Sequence, residues 1–229
     1  ALRAELGEPL FPLPAGQIAL VEGDRRLCRW PFMQDAVAGI GPFVSEWRVV
    51  GPFDLGYVDE PLELRLDTEM WPGLERPGWD NTLPPERGEV DLDATYAGKG
   101  ARKVSWQPIS ANEAGLVDLD TRYGGEDYAV ACAVAYIWSP EAATYPMTIG
   151  SDDSVMVRIN GQEAFRHDVQ RGPEPDQDSF QAELKEGWNE VFIKLAERWG
   201  GWGFCLRVVD PEGRLQFAAQ PPEPVQAGT

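Results

Sequence analysis

The chain has 229 residues, 43% of them hydrophobic, and carries 38 Asp and Glu against 20 Lys and Arg, for a net charge of −18. That length and apolar content suit one large domain with a real core, and the charge speaks against nucleic acid, whose phosphates are held by clustered Lys and Arg. The 24 Gly and 20 Pro, with no apolar i, i+3, i+4 stripe beyond about two helical turns, exclude a helical protein and point to strands and turns.

Residues 1–44 are mixed. Pro9, Pro12 and Pro14 interrupt regular structure, 17–21 suit a short strand, and 33–38 suit a turn of helix before Gly39 and Gly41. This part reads as an arm wrapped on the domain, too poor in periodic apolar content to fold alone. The organised body begins at Ser45. Trp47, Val49 and Gly51 alternate against Arg48 and Val50, and Pro52, which has no N–H to donate, is expected to end that strand. From Asp54 to Gly100 the chain is long, acidic and punctuated by Pro and Gly, with Trp71, Trp79 and Tyr96 scattered through it, as in a functional loop system or a cover for a sheet face.

Two short strand patterns follow, at 103–109 and 115–119, and then the run YAVACAVAYIW from Tyr128 to Trp138. Both of its parities are apolar, which predicts a central strand covered on both sides, its small Ala face lying under a closely packed segment such as the N-terminal arm. The stretch from Met147 to Phe165 has the clearest pattern. Gly150-Ser151-Asp152-Asp153 resists regular structure, Val155, Val157 and Ile159 alternate with Met156 and Arg158, and Asn160-Gly161 supplies the positive φ angles of a two-residue type I′ turn. Further alternating runs at 180–184, 191–195, 204–209 and 214–217 are separated by turn residues, and a Pro-rich tail follows from 218. Strands at this spacing predict an all-β jelly-roll sandwich over 45–217, with the arm at 1–44, long loops, and a tail or linker at 218–229.

Cys28, Cys132 and Cys205 show no C-x-x-C spacing, and the latter two lie in apolar runs where a buried free thiol is expected. No run of 18 apolar residues is present, so no membrane partner is expected, although a removed leader or a larger parent protein would leave no trace.

Three pieces together carry a resemblance: WRVVGPF at 47–53; GSDD at 150–153 running into V-x-V-x-I-N-G at 155–161; and LKEGWN at 184–189 running into VFIK at 191–194. They resemble the galactose-binding-like jelly-roll modules found beside bacterial polysaccharide-acting enzymes. The Ser-Asp-Asp before a strand and Asn-Gly hairpin is also similar to protective-antigen-type lectin domains. In those lectins an Asp-Asp pair joined by a strained peptide bond helps bind calcium, and the calcium coordinates sugar hydroxyls. The resemblance implies Asp152 and Asp153 as calcium ligands; the other reading is a turn whose carboxylates cap backbone amides. Two carboxylates cannot satisfy calcium alone, so Asp176 and Asp178, or Asp118 and Asp120, would have to converge on them.

A sugar offers an apolar C–H face to an aromatic ring and a fringe of hydroxyls to polar groups. Trp199 and Trp202, set among Gly200, Gly201 and Gly203, are the leading candidates, with Trp71 and Trp79 in the long acidic segment, and Asp153, His167, Arg171 and Gln177 as polar contacts. Trp47, Trp106, Trp138 and Trp188 read as core. The single histidine, His167, rules out multi-His metal chemistry, and no G-x-S-x-G elbow is present. The expectation is a non-catalytic carbohydrate-binding module, secreted or surface-exposed, that binds neutral polysaccharide or oligosaccharide beside a catalytic domain of a larger protein. Two alternatives stand: a structural sandwich packed on such a domain, and an enzyme, either a glycosidase with two carboxylates about 5 to 9.5 Å apart or a polysaccharide lyase using His167 with a Tyr and an Arg.

Overall fold

The computed structural model describes residues 41–56 and 77–220, together with the backbone of three short strands nearer the N-terminus. Those three, β1 (Arg3–Glu5), β2 (Ile18–Glu22) and β3 (Arg25–Trp30), form an antiparallel sheet of their own in the order β1-β2-β3. The helical turn expected at 33–38, Trp71 and most of the tail lie outside the described residues.

The body is an all-β sandwich. Its strands in chain order are β4 (Glu46–Asp54), β5 (Thr95–Ala97), β6 (Lys103–Ser105), β7 (Gln107–Ser110), β8 (Val117–Asp118), β9 (Ala129–Ser139) and β10 (Ala143–Asp152). They continue with β11 (Ser154–Ile159), β12 (Gln162–His167), β13 (Asp178–Leu184), β14 (Gly187–Glu197), β15 (Gly203–Val208) and β16 (Gln216–Ala218). The larger sheet runs β12-β11-β14-β9-β4-β7, with β16 also on β9; the smaller runs β13-β10-β15-β8; every pair is antiparallel. Residues 42–44 extend the edge of the smaller sheet, where Val44 N–H donates to Leu206 O (2.9 Å) and Val208 N–H to Pro42 O (3.1 Å). Two short helices, α1 (Pro77–Asp80) and α2 (Leu119–Tyr123), complete the body.

The main core lies between the two sheets. The Ala face of β9 (Ala129, Ala131, Ala133, Ala135) packs there with Val155, Val157, Ile193 and Leu195 against Met147, Ile149, Phe204 and Leu206 of the smaller sheet. Small side chains on the central strand let the larger residues of the opposing sheet interdigitate. The other face of β9 (Val130, Cys132, Val134) joins Val50, Phe53, Met156 and Phe192 in a second cluster, covered by Trp79, Val104 and Trp106. The central strand is thus buried on both faces as expected, but its Ala face meets the second sheet, and the cover of the opposite face is the acidic segment after residue 77.

That cover is bolted down by a buried ion pair. Lys194 Nζ, 2% exposed on the outer parity of β14, donates to Glu86 Oε2 (2.8 Å), Asn81 O (2.8 Å) and Trp79 O (3.0 Å). Arg158 closes the other side of Glu86. A charge this deep persists because all of its donors are matched.

Two local expectations need correction. Gly51-Pro52 does not end its strand: β4 runs on to Asp54, and the ladder to β9 shifts between Val50 and Phe53, leaving Pro52 in an irregularity where no N–H is required. Gly150-Ser151-Asp152 is not irregular either. These residues end β10 and pair with Cys205, Phe204 and Gly203, because tertiary pairing overrides their weak strand propensity. Gly150 is needed there, since a Cβ would stand 1.8 Å from Glu174 O in the strap that crosses it.

Candidate functional site

Four chain crossings between the sheets, β8 to β9, β10 to β11, β12 to β13 and β14 to β15, occur at one end of the sandwich, and two of them carry the acids of the site. At the first, β10 of the smaller sheet passes through Asp152-Asp153 into β11 of the larger, and the peptide bond between the two Asp residues is cis. At the second, β14 of the larger sheet ends at Glu197 and the loop 198–202 returns the chain to β15 of the smaller.

The crossings bring Asp152, Asp153 and Glu197 together, with ligating oxygens all within 4.8 Å of one another. All three are nearly inaccessible, at 6, 2 and 1% exposure. Asp153 is held by the backbone: Oδ1 accepts from Arg171 N–H (2.9 Å) and Oδ2 from Arg198 N–H (3.0 Å). Ser151 and Ser154 brace the corner, the first donating to Asp153 O (2.7 Å) and the second to Asp168 Oδ1 (2.8 Å). Glu197 contrasts with them: both of its carboxylate oxygens are buried without a hydrogen-bond partner.

The electrostatics follow from this crowding. Burial, then the charges of Asp153 and Asp120, push the Asp152 carboxyl up to about 7. Burial, followed by Asp153, Asp152, Asp127 and Asp120, pushes Glu197 up to about 9. Asp153 is also raised by burial, against the opposing pull of the Arg171 and Arg198 amides. Three buried carboxylates cannot all ionise side by side without a compensating positive charge, so the cluster takes up either protons or a cation. Hard oxygen donors with two unpartnered oxygens among them fit a hard divalent cation such as calcium.

The loop 198–202 lies directly against the acids. A Cβ on Gly201 would come within 2.9 Å of Asp152 Oδ2, so glycine there leaves room for the carboxylate. Trp199 is 39% exposed, with its ring 6.3 Å from that of half-buried Tyr128. Gly200 N–H donates to Asp127 Oδ1 (3.3 Å), tying the loop to a further acid.

The other expected residues fall in different places. Trp202 is a correction: it is 3% exposed, packs in the main core 5.3 Å from Tyr123, and its carbonyl accepts from the Leu119 and Asp120 amides, so it offers no face to a sugar. Trp79 is a second correction, 2% exposed beneath Arg166 and Lys194 on the outer face of the larger sheet. Arg171 is engaged by Ser151 and Asp178, Gln177 accepts from Ser151 N–H (3.0 Å), and His167 Nδ1 lies 3.2 Å from Asp178 Oδ2, so these three buttress the strap 168–177. Of the acids expected to converge, Asp176 binds Arg207, Asp178 binds Arg171, and Asp118 caps α2 through Thr121 N–H (2.8 Å); only Asp120 acts on the cluster.

Glu197 is the residue that sequence reasoning missed. Its signal was its parity: it continues the inward series Val191, Ile193, Leu195, so an acid stood where a core residue was due.

No family model and no curated protein matches the chain. Among solved structures it is similar to a family 35 carbohydrate-binding module from an environmental isolate (20% identity over 40% of this chain and 72% of that one, TM-score 0.31). It is also similar to the PA14 sugar-binding domain of an RTX adhesin (21% identity, 35% of this chain and 46% of that one, TM-score 0.28) and to the PA14 domain of the antifreeze protein MpAFP (17% identity, 37% and 45%, TM-score 0.30). The chain spans under half the length of these two PA14 structures. Likenesses this partial leave the chemistry of the site to its own residues.

Proposed function

We propose that this is a non-catalytic carbohydrate-binding module that takes neutral glycan at the end of the sandwich marked by Asp152, Asp153, Glu197 and Trp199. The observation that carries the reading is Glu197: a carboxylate with both oxygens buried and unpartnered, facing two more carboxylates beside a half-exposed indole. Asp152, Asp153 and Glu197 would hold a calcium ion, and Trp199, with Tyr128 behind it, would receive the apolar face of a sugar ring. A bound calcium supplies open coordination positions to sugar hydroxyls. Asp153 keeps its backbone bonds throughout, fixing both loops around the ligand. Gly201 lets the loop approach without displacing Asp152.

The spacing of the cluster, with one oxygen from each acid within 4.8 Å of the others, suits three carboxylates that share one cation. Among the described residues Trp199 is the large apolar side chain left exposed, two residues after Glu197, and one exposed ring is not the apolar patch that a packed partner domain would cover. We place the module in a larger secreted or surface-exposed polysaccharide-active protein, beside a catalytic domain. No described helix is long and apolar enough to cross a membrane.

The test is isothermal titration with a panel of neutral oligosaccharides, in calcium and again in chelator. Binding that needs both calcium and Trp199 supports the reading. A folded protein silent across the panel in calcium would overturn it.

A further inference from the structure

The acids around the site outnumber what one cation can neutralise. Five carboxylates bear on the cluster: Asp152, Asp153 and Glu197 within it, and Asp120 and Asp127 close enough that their charge raises Glu197. A divalent ion against five negative charges leaves three. The nearest cations offset this only in part: Arg171 is paired with Asp178, Arg198 is paired with Asp168 while also favouring the ionised Asp153, and Lys99 pairs with Glu126 and donates to the Asp127 carbonyl. No ion pair from the described residues engages Asp120 or Asp127.

These two acids are also well placed. The Asp120 backbone amide donates to Trp202 O (2.9 Å) at one end of the aromatic loop, and Asp127 Oδ1 accepts from Gly200 N–H (3.3 Å) next to Trp199. Asp127 is exposed and Asp120 half-buried, so both charges can be met from solvent. A neutral sugar would leave this residual field uncompensated, and an anionic one would be repelled by it. A sugar carrying an ammonium beside its hydroxyls would stack on Trp199, present hydroxyls to the cation site, and set its positive charge against Asp127 and Asp120.

We infer that the preferred ligand of this site is a cationic amino sugar, with Asp127 and Asp120 as the residues that read its amine. The inference rests on the reading of this end of the sandwich as a glycan site, and it replaces a neutral sugar by a cationic one as the preferred ligand.

The experiment titrates the protein in calcium at physiological salt with three disaccharides of equal size: cellobiose, N-acetylated chitobiose, and the same chitobiose with free amines. Exposed charge pairs contribute modestly, so the free-amine form is expected to bind about two- to fivefold tighter than the acetylated form. In Asp127→Asn, Asp120→Asn and the double variant the ratio should fall toward one. The chain is strongly acidic overall, so the control is Glu163→Gln with Glu183→Gln, two acids lining a groove of about 390 Å³ at the Asn160-Gly161 hairpin end, whose lining has no aromatic ring. These changes should leave the ratio intact. Equal affinity for the amine and acetyl forms would overturn this inference while leaving the glycan reading standing, and so would a ratio that falls as much in the control as in Asp127→Asn. Silence toward all three sugars and the wider neutral panel would take both away.

Discussion

Glu197, at the end of β14 in the larger sheet, holds its carboxylate within 4.8 Å of that of Asp152, at the end of β10 in the smaller. The two sheets therefore meet in a pair of acids that repel each other when ionised. Glu197→Gln removes an acid that must take up a proton to be buried without a cation, so the cation-free protein should melt higher than wild type at neutral pH while the calcium-induced rise in Tm is lost. For wild type at a hundredfold excess over Kd, that rise corresponds to about 2.7 kcal/mol. Differential scanning fluorimetry with calcium and with chelator reads both effects, and a Glu197→Gln protein that still gains the full rise would remove Glu197 from the cation site.

The same repulsion fixes a pH dependence. Both carboxyls have folded values above their unfolded ones, so the folded protein holds protons that the unfolded chain has released, and stability falls as pH rises. The window runs from 3.8 to about 7 for Asp152 and from 4.5 to about 9 for Glu197. In chelator, Tm should decline across this span, and saturating calcium should flatten the decline at its upper end. A Tm that climbs steadily from acid to neutral pH in chelator would contradict the arrangement of the acids.

Trp199 and Trp202 separate recognition from stability. Trp199→Ala should abolish glycan binding and leave unfolding nearly unchanged, because the side chain is 39% exposed. Trp202→Ala should cost about 3–5 kcal/mol, the usual range for an aromatic removed from a core. Urea unfolding beside titration distinguishes them; equal losses of stability would show that Trp199 is also a packing residue.

Lys194 and Glu86 form a buried pair on the outer parity of β14, the opposite parity to Glu197. Changing one partner alone, as Lys194→Met, should destabilise by about 3–5 kcal/mol by stranding the other charge, and Lys194→Met with Glu86→Gln should recover part of it. A double-mutant cycle in urea measures the coupling. Additive losses would mean that the pair contributes little to holding the 77–87 segment on the sheet.

Asp153 should couple two loops. Its carboxylate accepts amides from both, and Asp153→Ala is expected to speed hydrogen exchange at Arg171 and Arg198 together, with a loss of about 1.5–3 kcal/mol per charged hydrogen bond as an upper range. Faster exchange at one loop alone would show that the other is held by different contacts.

What could be read from the sequence was whatever depended on near neighbours. The Asn160-Gly161 hairpin is written in two adjacent residues, and both adopt positive φ. The doubly buried β9 is written in its two apolar parities. The end of β10 was obscured because Gly, Ser and Asp are poor strand formers, and only the ladder to β15 holds them extended. Trp199 and Trp202 look equivalent in RWGGWG, yet the start of β15 and the two amides of α2 draw one inward and leave the other out. The third acid could not be read as a ligand because Glu197 lies 44 positions from Asp153 and meets it only where both chain crossings share one end of the sandwich.

The covered outer face of the larger sheet has a further consequence. With Trp79, Val104 and Trp106 on one side and the smaller sheet on the other, the central strand of that sheet is an interior layer, closed to solvent on both faces. The molecule thus divides into a fixed interior and a rim of turns, and sequence change can proceed in the two at separate rates. The largely exposed turn residues 124–127 and 199–201 can be exchanged for others of similar span while the layers beneath them, anchored by Leu119 and Trp202, stay as they are, so sequence can vary at this end without changing how the chain folds.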